Sequence, residues 1–176
     1  MCEEFQWGQT CTFYTSRILY QWFFRPVIQR AQIMEFESIP FPSVDQIGIV
    51  VRDVEATARA YEPFLGKDAF NIIEGEAPAT LADGREIMIK GRLGFAHLGP
   101  LQIELIQILE GDSVHVEYLE RNGEGIHHLG RFTSTFDEDL RKFRELGVGI
   151  LQQGHGMRRY AYLDTKPFIL ELIENA

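Results

Sequence analysis

Cysteine is scarce in this 176-residue chain, with two only, Cys2 and Cys11, both at its very start. That rules out a disulfide framework and a thiolate metal site, and a reducing, cytoplasmic setting is expected. Long hydrophobic runs are missing as well. No stretch approaches the ~18 apolar residues of a membrane-spanning helix, so no membrane partner is expected. Basic residues are outnumbered, 17 against 26 acidic, for a net charge of −9. This excludes a broad nucleic-acid surface, though not a local cationic patch for a small anion. What remains, 45% hydrophobic and 24% charged, is the composition of a soluble globular protein. The length suits one domain, or two small units sharing a core.

Residues 1–33 read differently from the rest. They carry the aromatic run Leu19-Tyr20-Gln21-Trp22-Phe23-Phe24 without a clean helical or strand period. Their acidic start (Glu3, Glu4) does not suit a secretory signal. Met34 opens the more conventional MEFESIPFPSVDQIG. Residues 1–40 are therefore expected to be an extension, with the working domain beginning near Met34; the alternative is an arm that touches lipid or a partner.

The rest of the chain repeats itself. VDQIGIVV (44–51) lies above IHHLGRFT (126–133), each a strand-like segment with a glycine two places after a polar residue. Each runs into a helical pattern, Val54, Ala58 and Tyr61 in the first and Phe136, Leu140 and Phe143 in the second. Asp53 and Thr135 stand ahead as N-caps. All these pairs are 82 residues apart, as in Gln46 and His128. The closing strands also answer one another. Ile103-Glu104-Leu105-Ile106-Gln107 matches Leu170-Glu171-Leu172-Ile173-Glu174, each with a carboxylate inside an apolar strand, where an unpaired charge is costly. Between helix and closing strand, the first unit offers strands at 69–75, 86–90 and 93–98, and the second at 149–153 and 158–164. The pattern predicts an α+β fold of two β-α-β-β-β modules, 41–109 and 125–176, joined by a helical linker at 110–124.

This doubled unit, with its motifs VDQIGIVV, LQIELIQ, GIHHLGR and FILELIE, resembles the vicinal oxygen chelate superfamily. That superfamily includes glyoxalase I, methylmalonyl-CoA epimerase, extradiol dioxygenases and bleomycin-resistance proteins. The resemblance spans residues 44–174 and implies two modules related by a pseudo-twofold, their curved mixed sheets enclosing a metal or ligand cavity. It implies four metal ligands, Gln46, Glu104, His128 and Glu171, and a homodimer as a plausible assembly. An amide oxygen, two carboxylates and an imidazole form a hard-to-borderline donor set of charge −2, suited to one divalent ion such as Zn, Ni, Co, Mn or Mg.

Taken singly, each residue has a plainer reading: Gln46 as a polar strand residue, His128 as a hydrogen-bonded core histidine, and the two glutamates as outward-facing. Alternation opposes the last of these, because Ile103, Leu105, Leu170 and Leu172 claim the other face. The same alternation turns His127 away from His128. His97 is expected in a strand wall, His115 solvated on the linker helix, and His155 in a turn. Of Arg158 and Arg159, at most one should face inward; Arg158, Tyr160 and Tyr162 are the expected substrate contacts.

A divalent ion on two neighbouring substrate oxygens acidifies the adjacent C–H, and a nearby carboxylate can take the proton. By the resemblance, Glu171 is the expected base and Glu104 its counterpart. The sequence thus points to a metal-dependent epimerase, isomerase or lyase acting on an oxygenated acid or acyl thioester. GEGIHH (123–128) resembles the epimerase signature, although Gln46 stands where the epimerases have histidine. Glyoxalase I (lactoylglutathione lyase) is the alternative enzyme. Its glutathione-binding arginine is replaced here by Glu124, and its asparagine is missing from Ile106-Gln107-Ile108. A single histidine disfavours oxygen-activating iron. A third reading is a metal-free sequestering protein that holds a planar ligand with Phe95, Tyr160, Tyr162 and Phe168.

Overall fold

A computed structural model describes residues 43–175; the expectations for residues 1–40 lie outside that range. Eleven elements follow in order: β1 (Gln46–Val50), α1 (Val54–Leu65), β2 (Asn71–Leu81), β3 (Glu86–Leu98), β4 (Leu101–Glu110), α2 (Val114–Asn122), β5 (Gly125–Thr133), α3 (Phe136–Glu145), β6 (Ile150–His155), β7 (Arg159–Asp164) and β8 (Ile169–Glu174). This is β-α-β-β-β twice, with α2 as the connector. The segments expected at 86–90 and 93–98 are one strand, since β3 pairs with β2 straight through Gly91 and Arg92. Among the described residues, no helix is long and apolar enough to cross a membrane.

The eight strands close into a barrel in the order β1-β4-β3-β2-β6-β7-β8-β5. Within each module the first and last strands run parallel, β1 with β4 and β5 with β8. The modules meet antiparallel at two seams, β1 with β5 and β2 with β6; the second is only three residue pairs long. An antiparallel seam between equivalent strands gives the pseudo-twofold that the repeat predicts.

Helices cover the outside of the sheet. In the first module, Val54 and Ala58 of α1 pack on Val51 and Leu105. In the second, Phe136, Leu140 and Phe143 of α3 pack on Ala161, Leu163, Leu170 and Leu172. Leu163 and Leu172 are fully buried, each stabilising the fold by roughly 1.5–3 kcal/mol. Because the outward row is apolar, the alternate row, with Glu104, Tyr162 and Glu171, must face the barrel interior. Asp53 caps α1 by accepting from the Ala56 amide at 2.9 Å. Thr135 holds the N-cap position of α3 as expected, but its hydroxyl donates to Asp139 at 3.2 Å and makes no cap bond to a backbone amide.

Candidate metal centre

Each donor stands on a different strand and is delivered by register. In the β1–β5 seam, Gln46 lies opposite Gly130 and Gly48 opposite His128. Each polar side chain therefore lies across the glycine of the other module. A Cβ on Gly48 would fall 1.9 Å from His128 Cε1, and one on Gly130 would fall 2.7 Å from Gln46 Oε1. The glycines are thus absent side chains that make room for the donors. Glu104 is carried in beside β1, and Glu171 beside β5, by the two parallel pairings.

The four side chains are buried and converge on His128 Nε2. Glu171 Oε2 lies 2.9 Å away, Glu104 Oε2 3.6 Å and Gln46 Oε1 3.3 Å. Gln46 Nε2 donates to Gln102 Oε1 at 2.8 Å, which turns the amide oxygen towards the histidine. Glu171 Oε2 is beside the imidazole, and among the described residues it has no hydrogen-bond partner. A buried carboxylate oxygen without a donor is costly, and a cation would satisfy it. Single donor atoms of Glu104, His128 and Glu171 lie within 4.8 Å of one another, a span one ion can bridge. The residues present therefore fit a divalent metal.

The electrostatics agree. Burial raises the Glu104 carboxyl above its ordinary range, and the charge of Glu171 raises it further. Burial alone would depress His128, but Glu171 and Glu104 outweigh it and lift the imidazole to about 9. Without metal, His128 is thus an imidazolium, and metal uptake must displace that proton. Zinc affinity is accordingly expected to rise about tenfold per pH unit below pH 9, measured by competition with a chelator. The metal-free protein should follow the matching sign. A folded-state value above the ordinary 6.5 gives stability that is fully present below pH 6.5 and lost as pH rises through 9. A melting temperature unchanged from pH 6.5 to 9 would contradict this.

Two sequence expectations about histidines are corrected. His115 is not solvated but 5% exposed, with its Nε2 3.1 Å from the Tyr162 hydroxyl, because the α2 N-terminus turns in against the sheet. His97 is exposed near the end of β3, not part of a closed wall. His127 also departs from simple alternation. The register passes from Gly48 opposite His128 to Ile49 opposite Ile126, so His127 is the extra residue of a β-bulge. Its ring lies 4.6 Å from that of His115, 5.2 Å from Tyr118 and 5.4 Å from Tyr162. His155 ends β6 and is exposed.

Tyr162 is buried beside the site; burial and the two glutamates raise its phenol well above the ordinary value. The Tyr160 ring lies 5.3 Å from it, tilted by 55°, and its hydroxyl accepts from Gln152 Nε2 at 3.0 Å. Arg158, just ahead of β7, is exposed with its guanidinium 5.2 Å over the Phe132 ring. Arg159 faces the other way, over Phe136 and paired with Asp137 and Glu174. Of the aromatics proposed for a planar ligand, Phe168 is 44% exposed, ahead of β8. A cleft of about 260 Å³ lined by Arg52, Ile108, His115, Leu119 and Glu120 lies on the α2 side and includes none of the four donors. Sequence reasoning missed Gln102 and Gln152. Gln102 had a signal, since it shares a strand face with Glu104 two places on; Gln152, fully buried and accepting the Val114 amide at 3.1 Å, had none.

The family described as Glyoxalase/Bleomycin resistance protein/Dioxygenase superfamily matches residues 45–162. Among curated proteins, the uncharacterised YqjC of Bacillus subtilis (strain 168) is 27% identical over 139 residues, 74% of this chain and 91% of that protein. Among solved structures, methylmalonyl-CoA epimerase from Mycobacterium tuberculosis is 26% identical, with a TM-score of 0.54, covering 75% of this chain and 87% of its own. A Streptomyces coelicolor methylmalonyl-CoA epimerase variant in complex with 2-nitronate-propionyl-CoA is 24% identical, with a TM-score of 0.57, covering 76% of this chain and 96% of its own.

Proposed function

Since the chain belongs to the glyoxalase/bleomycin resistance protein/dioxygenase superfamily, we propose that it is a metal-dependent epimerase acting on the carbon beside the carbonyl of an acyl thioester. The observation that carries this reading is the convergence of two buried carboxylates on one imidazole, with Glu171 Oε2 lacking a hydrogen-bond donor among the described residues. Gln46, Glu104, His128 and Glu171 would hold one Zn, Ni, Co, Mn or Mg ion, which supplies charge stabilisation at the carbonyl oxygen.

The protein's own groups divide the remaining work. Glu171 removes the proton from the carbon. Glu104, whose carboxyl is raised by burial and by Glu171, carries a proton more readily and returns one to the opposite face. Tyr162 and Tyr160 form an apolar wall with polar tips beside the glutamates, and Arg158, exposed over the Phe132 ring, is the cation assigned to an anionic part of the substrate. The acyl-thioester class is supported by the epimerase complex with an acyl-CoA analogue. Nothing favours glutathione in the same way. Glu124, at the place of the glyoxalase I arginine, accepts the Arg52 amide at 2.7 Å and offers no cation.

Purified protein is expected to carry near-stoichiometric divalent metal, and His128→Ala to carry none. With metal, the wild type should exchange the α-proton of methylmalonyl-CoA for deuterium in heavy water, followed by NMR. Metal uptake without exchange on this or other 2-substituted acyl thioesters would refute the epimerase reading. No uptake from any of the five ions would refute the metal site and turn the search to ligand binding.

A further inference from the structure

The bulge in β5 spends one residue on bringing His127 into contact with the back of His128. The two Nδ1 atoms are 3.1 Å apart, and both side chains are buried, 4% and 1% exposed. A hydrogen bond between two ring nitrogens needs one donor and one acceptor, so the pair must choose a direction. His128 Nε2 faces Glu104, Glu171 and Gln46 Oε1, all of them acceptors. A cation held among them needs the Nε2 lone pair, which leaves the ring proton of His128 on Nδ1.

We propose that His127 is a positioning residue whose Nδ1 accepts the Nδ1–H of His128, holding that imidazole in the one tautomer that presents the Nε2 lone pair to a metal. This deepens the metal-site reading above and rests on it. The rings of His115, Tyr118 and Tyr162 pack round His127, and with the proton of the Nδ1–Nδ1 bond on His128 its own Nδ1 is the acceptor. Its own proton then lies on Nε2, and the Val114 backbone is within the ring's reach. If His127 donated instead, His128 Nδ1 would hold the lone pair and Nε2 would be blocked by hydrogen. Ligating histidines are commonly oriented by an acceptor on the second ring nitrogen, usually a carboxylate or carbonyl. Here a neighbouring imidazole, delivered by a bulge, fills that place.

The cluster His115, His127 and His128 also brings three ring nitrogens within 4.8 Å. It does not make a separate metal site, because one nitrogen of His128 belongs to the carboxylates and the other to His127.

The test begins with nitrogen-15 NMR of histidine-labelled wild type, metal-free and zinc-loaded. Expected are a protonated His128 Nδ1 in both states, coupled across the hydrogen bond to an unprotonated His127 Nδ1, with the His127 proton on Nε2. A proton on His127 Nδ1 would overturn the proposal. Zinc affinity is then compared in two variants whose side chains have the same heavy-atom skeleton. His127→Leu removes the acceptor and should weaken zinc binding about 10- to 100-fold, whereas His127→Asn keeps an acceptor at the same reach and should restore most of it. Equal affinity in both variants would also overturn it. If the wild type takes up no metal, the metal-site reading fails by itself, and the nitrogen spectrum of the metal-free protein still decides the tautomer. The same spectrum decides the matter if the leucine variant does not fold.

Discussion

Glu171→Gln is expected to slow α-proton exchange by about 10³-fold or more, the usual worth of a positioned general base together with part of its metal site. Glutamine preserves shape and one oxygen donor but removes both the base and a negative charge. The charge matters twice here. Glu171 helps to lift His128 to about 9, and it raises Glu104. Removing it should lower both groups, so that His128 loses its proton more easily while the cavity loses the anion that draws a cation in. Stability of the metal-free protein should fall as well. Glu171, 5% exposed, lies 2.9 Å from His128 Nε2, and removing one partner of a buried pair leaves the other uncompensated. The variant is therefore expected to melt below the metal-free wild type at neutral pH, with the difference closing as pH rises through 9, while losing exchange. Exchange within tenfold of wild type would remove Glu171 from the role of base. A collapse of the fold would instead assign it a structural task.

Gly48→Ala should have the largest effect on the fold of any single methyl group added near the site. The new Cβ would lie 1.9, 2.2 and 2.5 Å from three atoms of the His128 ring. That ring is 1% exposed, held by Glu171 and Gln46 in front and His127 behind, so it has no vacant direction in which to turn. Overpacking of this kind costs ~1–3 kcal/mol and occasionally more, and this contact belongs at or above the upper end. The expected result is a large fall in melting temperature together with loss of zinc binding. Gly130→Ala is the natural control. Its Cβ would meet Gln46 Oε1 at 2.7 Å, the far end of a flexible side chain, and Gln46 Cβ at 2.9 Å, both longer than the contacts at Gly48. It should weaken zinc binding with a smaller fall in melting temperature. Equal effects at the two glycines would mean that His128 moves more freely than its surroundings allow.

The β-α-β-β-β doubling was legible because two periodicities and a fixed 82-residue offset agreed, and because Gly48 and Gly130 repeated alongside Gln46 and His128. The inward direction of Glu104 and Glu171 followed from the apolar row beside them, which the cores under α1 and α3 now account for. What stayed hidden depends on departures from regularity. A bulge has no signature in the letters IHH, so alternation sent His127 to the wrong side. His115 looked solvated because a nine-residue connector helix reveals little about which end turns inward. The contact between Gln152 and the α2 N-terminus joins residues 38 apart with no shared pattern. Thr135 looked like a cap by type and place, but Asp139 four residues later took its hydroxyl. Pattern conveys the lattice of the fold; side-chain competition has to be seen.

The seam between β1 and β5 has a consequence for inheritance. It is the contact that a single module would make with a second copy of itself about a true twofold, here folded into one chain. In such a pair of identical copies, any change to a donor would be made twice. Joined in one polypeptide, the two positions are free to differ, and they do: glutamine at 46 and histidine at 128, each across from a glycine of the other module. The single chain thus sets unlike donors on the two sides of a symmetric frame.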